Sequence, residues 1–410
     1  MNKYSSYKDS EVDWIGEVPT KWSVSRVKKY FKERNEKVSD LEYDPLSVTK
    51  NGIVPQLDNV SKSDNHNDRK RVSKNDFVIN SRSDRKGSSG MSEYNGSVSL
   101  INIVLRPISI NPKYSEFLFK SKSFIEEFFR NGKGIHWDLW STRYSELQNI
   151  KIPYPSIKEQ QQIVTFLDDK TQKIDSLIQQ KKEKIELLKE KRTSLINHVV
   201  TKGLNPNVEM KDSGVEWIGE IPNHWGCFKM KYGVNHISEK SQPNKTDIRI
   251  SPENVESNTG VCFNLYSEHE SEGMRFISGD VLLNKLRLYL KKILFTEYDG
   301  YSLGEMIVLR TNESLVNKYF YHILFNQGLI DLLDSQSTGV KLPRVSPDII
   351  MNSEIIYPPI SEQQKIVEYL DKQTEEIDTL IKLEQKKIDT LKEYRQSLIS
   401  EVVTGKIKVV

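Results

Sequence analysis

Residues 154–201 read YPSIKEQQQIVTFLDDKTQKIDSLIQQKKEKIELLKEKRTSLINHVVT, and residues 357–404 read YPPISEQQKIVEYLDKQTEEIDTLIKLEQKKIDTLKEYRQSLISEVVT. Aligned without gaps at an offset of 203, the two stretches share 27 of 48 residues. Past their opening Tyr-Pro turns both are free of Gly and Pro and dense in Lys, Glu, Gln, Leu and Ile, a helix-forming composition. Helices are predicted over 158–201 and 361–404, with Ser156–Glu159 and Ser361–Glu362 as N-terminal signals and Gly203 and Gly405 closing the far ends. Apolar residues recur at alternating spacings of three and four. They mark a seam of Leu167, Ile174, Ile178, Lys181, Ile185, Leu188 and Leu195 in the first copy. In the second copy the seam is Leu370, Ile377, Ile381, Glu384, Ile388, Leu391 and Leu398. A seam this long needs a partner helix, and the other copy is the nearest. Lys181 and Glu384 hold the same central position with opposite charge, which suits a pair within one chain. Two equivalent halves joined head to tail satisfy each other most simply about a pseudo-two-fold axis, which makes the pair antiparallel. At 1.5 Å per residue each helix spans roughly 65 Å and serves as a spacer of fixed length.

The repeat continues outward. Trp14-Ile15-Gly16-Glu17-Val18-Pro19 with Trp22 returns as Trp217-Ile218-Gly219-Glu220-Ile221-Pro222 with Trp225, again 203 residues later. These tryptophans bracket a turn and are expected to pack in the core. Between the matching segments, residues 25–150 and 228–353 share only fragments, such as Asp76 and Asn80 against Asp280 and Asn284. The chain is thus a tandem duplication of a divergent domain and a constant helix. The expected boundaries are 1–153, 154–203, 204–356 and 357–410. Short β-like runs (Phe77–Ile79, Ser99–Leu105, Met306–Leu309) and single helices over 114–129 and 318–333 make each divergent domain mixed α and β. The fold class is α+β.

Length and composition narrow the function. The chain has 410 residues and a net charge of +3 from 60 basic and 57 acidic side chains, so any affinity for nucleic acid must rest on local patches. No apolar run approaches the roughly 20 residues of a membrane span, and no secretory signal opens the chain, so a cytoplasmic protein is expected. Cys227 and Cys262 lack both a disulfide framework and zinc-ligand spacing. A phosphate-binding Gly-rich loop, a His-Glu-x-x-His pair and the motifs of a nuclease or an amino-methyltransferase are all missing, so neither catalysis nor a bound metal is expected. Charge does concentrate locally. Residues 61–90 hold eight Lys or Arg against four Asp, and 275–292 hold five against one, each a net +4. From these patches Arg69, Lys70, Arg71, Asn80, Arg82, Arg85, Lys86 and Ser88 are candidate DNA contacts, with Arg275, Asn284, Lys285, Arg287, Lys291 and Lys292 opposite them. Lys and Arg neutralise phosphates, and Arg forks suit guanine as Asn suits adenine. A second cluster precedes each helix: Lys133, His136, Trp137 and Arg143, then Lys341 and Arg344.

Taken together, the two Trp-Ile-Gly-Glu-Val/Ile-Pro segments, the two Pro-x-Ile-x-Glu-Gln-Gln helix starts (155–161, 358–364) and the Leu-Ile ends running into Val-Val-Thr resemble the specificity subunit of a Type I restriction-modification system. The Asp280–Arg287 stretch resembles a recurrent segment of that family's target-recognition domains. The resemblance implies two target-recognition domains that each read half of an asymmetric, interrupted site on double-stranded DNA, with the helices setting the gap. It also implies two methyltransferase subunits using S-adenosylmethionine to methylate adenine N6. Two restriction/translocase subunits driven by ATP and Mg can join them. No cofactor is expected on this chain. The competing reading is a duplicated coiled-coil scaffold that binds proteins without DNA specificity, and a third is a fused enzyme with an unrecognised centre.

Overall fold

Residues 3–57, 66–134, 140–269 and 271–409 are described by the computed structural model. Its α-helices are α1 (Pro112–Lys120), α2 (Lys122–Arg130), α3 (Tyr144–Leu147), α4 (Ile157–Lys202), α5 (Asn317–Leu324), α6 (Gln327–Ser335), α7 (Pro347–Asn352) and α8 (Ile360–Val403). The long helices α4 and α8 lie where the repeat places them. Ser156 caps α4 by accepting from Glu159 N at 3.3 Å. Ser361, by contrast, sits inside the first turn of α8, because the carbonyl of Pro359 takes the amides of Glu362 and Gln363 at 2.8 and 3.0 Å. Gly203 and Gly405 end the helices at φ +74° and +79°, a left-handed turn that glycine adopts without strain. A Cβ on Gly405 would lie 2.4 Å from the Pro19 ring.

The chain forms two compact units, Met1–Lys181 with Lys386–Val410, and Lys182–Gln385. Each unit combines one mixed domain with the first part of one long helix and the last part of the other. The helix pairing is antiparallel within each. In the second unit Lys184 meets Glu384 at 2.9 Å and Arg192 meets Asp378 at 3.1 Å, so numbering rises on one helix as it falls on the other. In the first unit Arg395 grips both oxygens of Asp175 at 2.9 and 3.1 Å, and the Tyr114 hydroxyl lies 3.3 Å from the carbonyls of both Pro153 and Val403.

The seam is buried at Leu167, Ile174, Ile178, Ile185, Leu370, Ile377, Ile388 and Leu398, and only partly at Leu188, Leu195, Ile381 and Leu391. Near the helix ends a further set (Ile163, Ile196, Val200, Ile366, Ile399, Val403) is also buried, because there a domain adds a third layer. Glu384 is 1% exposed and forms an ion pair with Lys184 at 2.9 Å. The Glu-Gln-Gln motif has a structural cause. Gln160 and Gln363 are fully buried, and each accepts a backbone amide from its own domain: Asn111 N at 2.8 Å and Val316 N at 2.7 Å.

The divergent domains share one topology. A four-stranded sheet orders Ser89–Met91, Phe77–Asn80, Asn102–Pro107 and Phe31–Glu33 in the first, and Ile293–Phe295, Val281–Asn284, Met306–Thr311 and Val234–Ile237 in the second. A second sheet pairs Arg69–Val72 with Lys37–Val38 and Gly96–Ser99, matched by Gly273–Phe276 with Lys240–Ser241 and Gly300–Ser302. The single helices predicted over 114–129 and 318–333 are each two. Ser121, in extended conformation, ends α1 and caps α2, while Asn326 caps α6 after α5. Trp22 and Trp225 are core residues, and the half-buried Trp14 packs edge-on against Phe124 at 5.8 Å. Among the described residues no helix is long and apolar enough to cross a membrane, and no cluster of His, Cys, Asp or Glu could hold a metal ion.

Candidate nucleic-acid interface

Each domain anchors one loop on an aspartate. Asp76 accepts from Ser73 N at 2.8 Å and from the Arg34 guanidinium at 2.7 and 3.2 Å. Asp280 accepts from Ile277 N at 2.9 Å and from Arg310 at 2.8 and 2.7 Å. The aspartates correspond but the arginines do not: Arg34 follows the strand Phe31–Glu33, whereas Arg310 lies on the strand Met306–Thr311, so the turn is kept while the position of its neutralising partner is not.

Four residues on, the strand breaks into an eight-residue loop. In the first domain Asn80 N donates to Ser88 O at 2.9 Å and closes residues 81–88. The loop is stitched to the segment preceding α3: Ser83 N donates to Trp140 O at 2.9 Å and Thr142 N to Ser81 O at 3.0 Å, while Lys133 and Ser141 exchange backbone bonds of 2.9 and 3.1 Å. The second domain repeats the stitching. Asn284 N donates to Lys292 O at 3.0 Å, Arg287 N to Pro343 O at 2.8 Å and Val345 N to Lys285 O at 3.0 Å. Thr338 and Arg344 exchange bonds of 2.9 Å each way. The two clusters that are distant in sequence, 81–88 with Lys133 and 140–143, and 285–292 with 338–344, thereby become one surface in each domain.

On these matching frames the cations occupy different positions. By hydrogen-bond register Ser81, Arg82, Ser83 and Arg85 correspond to Lys285, Leu286, Arg287 and Tyr289, and Ser141 and Arg143 correspond to Arg344 and Ser346. Arg82, Arg143, Arg287 and Lys341 are exposed and, among the described residues, have no carboxylate partner. Arg85 lies 3.5 Å from its neighbour Asp84, and Lys133 lies 3.3 Å from Glu146. Lys285 and Arg344 share Glu305. Beside the first loop pair lies an open cleft of about 960 Å³ lined by Lys70, Arg82, Trp140, Arg143 and Tyr144.

Most of the other expected contacts are already engaged within the chain. Arg69 is buried and binds Ser97 through Nε to Oγ at 2.7 Å and through a terminal nitrogen to the carbonyl at 3.0 Å, and burial pulls its pKa down. The Lys70 ammonium donates to Asn102 O at 3.0 Å and Glu33 at 3.3 Å. Arg71 binds the Glu36 carboxylate at 3.1 and 3.3 Å and stacks over Tyr43. Lys86 is tied to Glu126 at 2.6 Å over the Phe129 ring. Ser88 is buried at the loop closure. The Asn80 side-chain oxygen is taken by Arg82 N, and both ends of the buried Asn284 carboxamide are taken by the Leu286 backbone, so the latter cannot read adenine. Lys291 donates to Phe325 O at 3.1 Å at the end of α5, and burial pulls its ammonium down to about 8. Lys292 donates to Pro252 O at 2.7 Å. Arg275 is exposed but stands on the second sheet, outside the loop pair. Lys62, His136 and Trp137 lie outside the described residues. The sequence carries no signal for this sorting, because a lysine that caps a buried carbonyl and one that faces solvent look alike in one dimension.

Arg287 and Lys291 flank the 3-10 turn of the second loop with φ of +52° and +45°. Such left-handed non-glycine residues persist only where the surroundings hold them, at a cost on the order of 1–3 kcal/mol each.

The sequence profile described as the Type I restriction modification DNA specificity domain matches residues 8–187 and 279–393. The putative Type I restriction enzyme MjaX specificity subunit of Methanocaldococcus jannaschii is 23% identical over 454 aligned positions, covering 99% of this chain and 98% of that protein. The MjaVIII specificity subunit from the same organism is 25% identical and covers 72% and 70%. The EcoDI specificity subunit of Escherichia coli is 20% identical and covers 78% and 76%. Among solved structures, a chain from work on assembly and conformational transition of the type I R-M system shares the fold with a TM-score of 0.73 at 14% identity, over 95% of this chain and 99% of its own. The HsdS subunit from Thermoanaerobacter tengcongensis shares it at 0.53 and 16% identity, over 95% and 98%. With well over half its length matched by that profile, the chain belongs to the Type I restriction modification DNA specificity domain family.

Proposed function

We propose that this chain is the DNA-reading subunit of a Type I restriction-modification complex, and that its two domains read two different half-sites of one asymmetric, interrupted sequence. The observation that carries this reading is the pair of matched loop frames on which the arginines and lysines sit at non-equivalent positions. Equal frames dock on a duplex in the same manner. Unequal cations on them select different bases, because an Arg fork finds the O6 and N7 of guanine only where geometry brings it there. Two identical domains would read a palindrome instead.

In this reading Arg82, Arg85 and Arg143 serve the first half-site, and Lys285, Arg287, Lys341 and Arg344 the second. Lys residues act mainly on phosphates, and Arg82 and Arg287 on base edges. The chain itself performs no reaction. It presents DNA in the cytoplasm to two methyltransferase subunits, which use S-adenosylmethionine on adenine N6, and to restriction/translocase subunits, which use ATP and Mg. The family membership and the relatives described as specificity subunits support this role. The test is binding of the assembled chain to selected and random duplexes at two salt concentrations. Selected DNA is expected to bind about a thousandfold or more tighter. Equal, steeply salt-dependent binding to both would contradict the proposal.

A further inference from the structure

The second loop pair carries a feature that its cations do not explain. Thr338 and Arg344 close a five-residue tip, Gly339-Val340-Lys341-Leu342-Pro343, through their mutual backbone bonds. Gly339 turns at φ +97°, and a Cβ there would sit 3.0 Å from the Leu342 carbonyl. The tip is braced from the neighbouring loop, whose Arg287 donates its backbone N–H to Pro343 O at 2.8 Å and a guanidinium N–H to Lys341 O at 3.4 Å. On this supported turn Val340 is 103% exposed and Leu342 54%. Single exposed aliphatics are ordinary. Two on either side of a lysine, at the end of a braced hairpin amid Arg287, Lys341 and Arg344, have a specific use.

We infer that Val340 and Leu342 are specificity residues that read the 5-methyl group of thymine in the major groove. The inference rests on the DNA-reading function proposed above. A two-stranded ribbon fits the roughly 12 Å major groove, the only groove in which thymine shows its methyl group. The surrounding cations match the phosphates that line that groove. Thymine presents the apolar group there that Val and Leu can cover without leaving a polar edge unpaired. Valine also has few rotamers to lose on binding. The segment between the corresponding bridge of the first domain differs in sequence and length: seven residues separate Lys133 from Ser141, against five between Thr338 and Arg344. Unlike segments suit unlike half-sites.

The experiment uses the full chain assembled with its methyltransferase subunits and a duplex selected for tight binding. Each thymine of the second domain's half-site is replaced in turn by deoxyuridine, which removes only the methyl group, and affinity is read by fluorescence anisotropy. At one or two positions the loss is expected to be about fourfold, the effect of uncovering one buried carbon. Val340→Ala or Leu342→Ala is expected to weaken binding similarly and to abolish the response to deoxyuridine at one of those positions, the signature of coupled groups. The first half-site keeps its full discrimination and serves as the folding control. Deoxyuridine without effect at every position overturns the inference, as does an unchanged deoxyuridine response in both variants. If the tip instead forced a base step apart, 2-aminopurine fluorescence would rise on binding with no methyl dependence, and that too would overturn it. Failure of the assembled chain to prefer the selected duplex at all would instead overturn the DNA-reading function.

Discussion

Replacing Arg287 by Ala separates reading from folding, because the structure divides the two roles of this residue. Its backbone holds the loop pair together through the 2.8 Å bond to Pro343 O, and the substitution leaves that bond in place. Its side chain is exposed and makes a single long hydrogen bond, 3.4 Å to Lys341 O. Alanine meets the same left-handed backbone penalty as arginine, so folding stability is expected to change by no more than about 0.5 kcal/mol. Glycine at this position would relieve the strain and raise stability by about 1 kcal/mol while losing the same DNA contact. Losing a bidentate contact to guanine costs about 1–3 kcal/mol, roughly a 5- to 150-fold fall in affinity. The assay is anisotropy of the assembled complex on duplexes in which one half-site at a time is scrambled, repeated at two salt concentrations. Discrimination is expected to fall only at the second domain's half-site, with the salt slope unchanged. Equal weakening on every sequence, with a slope reduced by about one, would place Arg287 on a phosphate and refute the reasoning.

Lys291→Met is expected to leave specific binding within about twofold, since its ammonium faces Phe325 O inside the domain; a large loss confined to one half-site would return it to the interface. The buried His322 donates to Asp371 at 2.9 Å, and burial holds its pKa below the usual 6.5 despite that carboxylate. The folded state therefore resists a proton that the unfolded chain accepts. Stability is full above about pH 6.5 and declines as pH falls below it; urea titrations at pH 7.5 and 5.5 should show the decline, and His322→Gln should flatten it. Removing one heptad from each long helix shortens each by about 10 Å, so the tolerated gap between half-sites is expected to move by about three base pairs, measured with a duplex series of varied gap.

The fold was readable because a duplication repeats its own evidence. The 27 identities between the two long segments fix α4 and α8, and the opposite charges at Lys181 and Glu384 point to pairing between copies. Glu384 also reaches Lys184, because a heptad frame gives the position of a residue and not the reach of a lysine side chain. The aligned Asp76/Asp280 and Asn80/Asn284 fragments pointed correctly to a shared frame. In the fold these residues hold the turn and the loop mouth. Arg69, Lys70 and Lys291 face inward for one reason: each donates to a carbonyl or hydroxyl of a distant segment. Nothing local in the sequence marks such a partner. Conversely, Val340 and Leu342 between Gly339 and Pro343 carry no local signal, and only their exposure sets them apart.

The central claim is that two copies of one frame carry two different readers. Genome-wide mapping of methylated adenines, in cells with and without this chain, tests it most directly. The account predicts one interrupted motif whose two halves differ, present only with the chain and altered in a single half by Arg82→Ala or by Arg287→Ala. A palindromic motif, or a methylation pattern that ignores the chain, would contradict it.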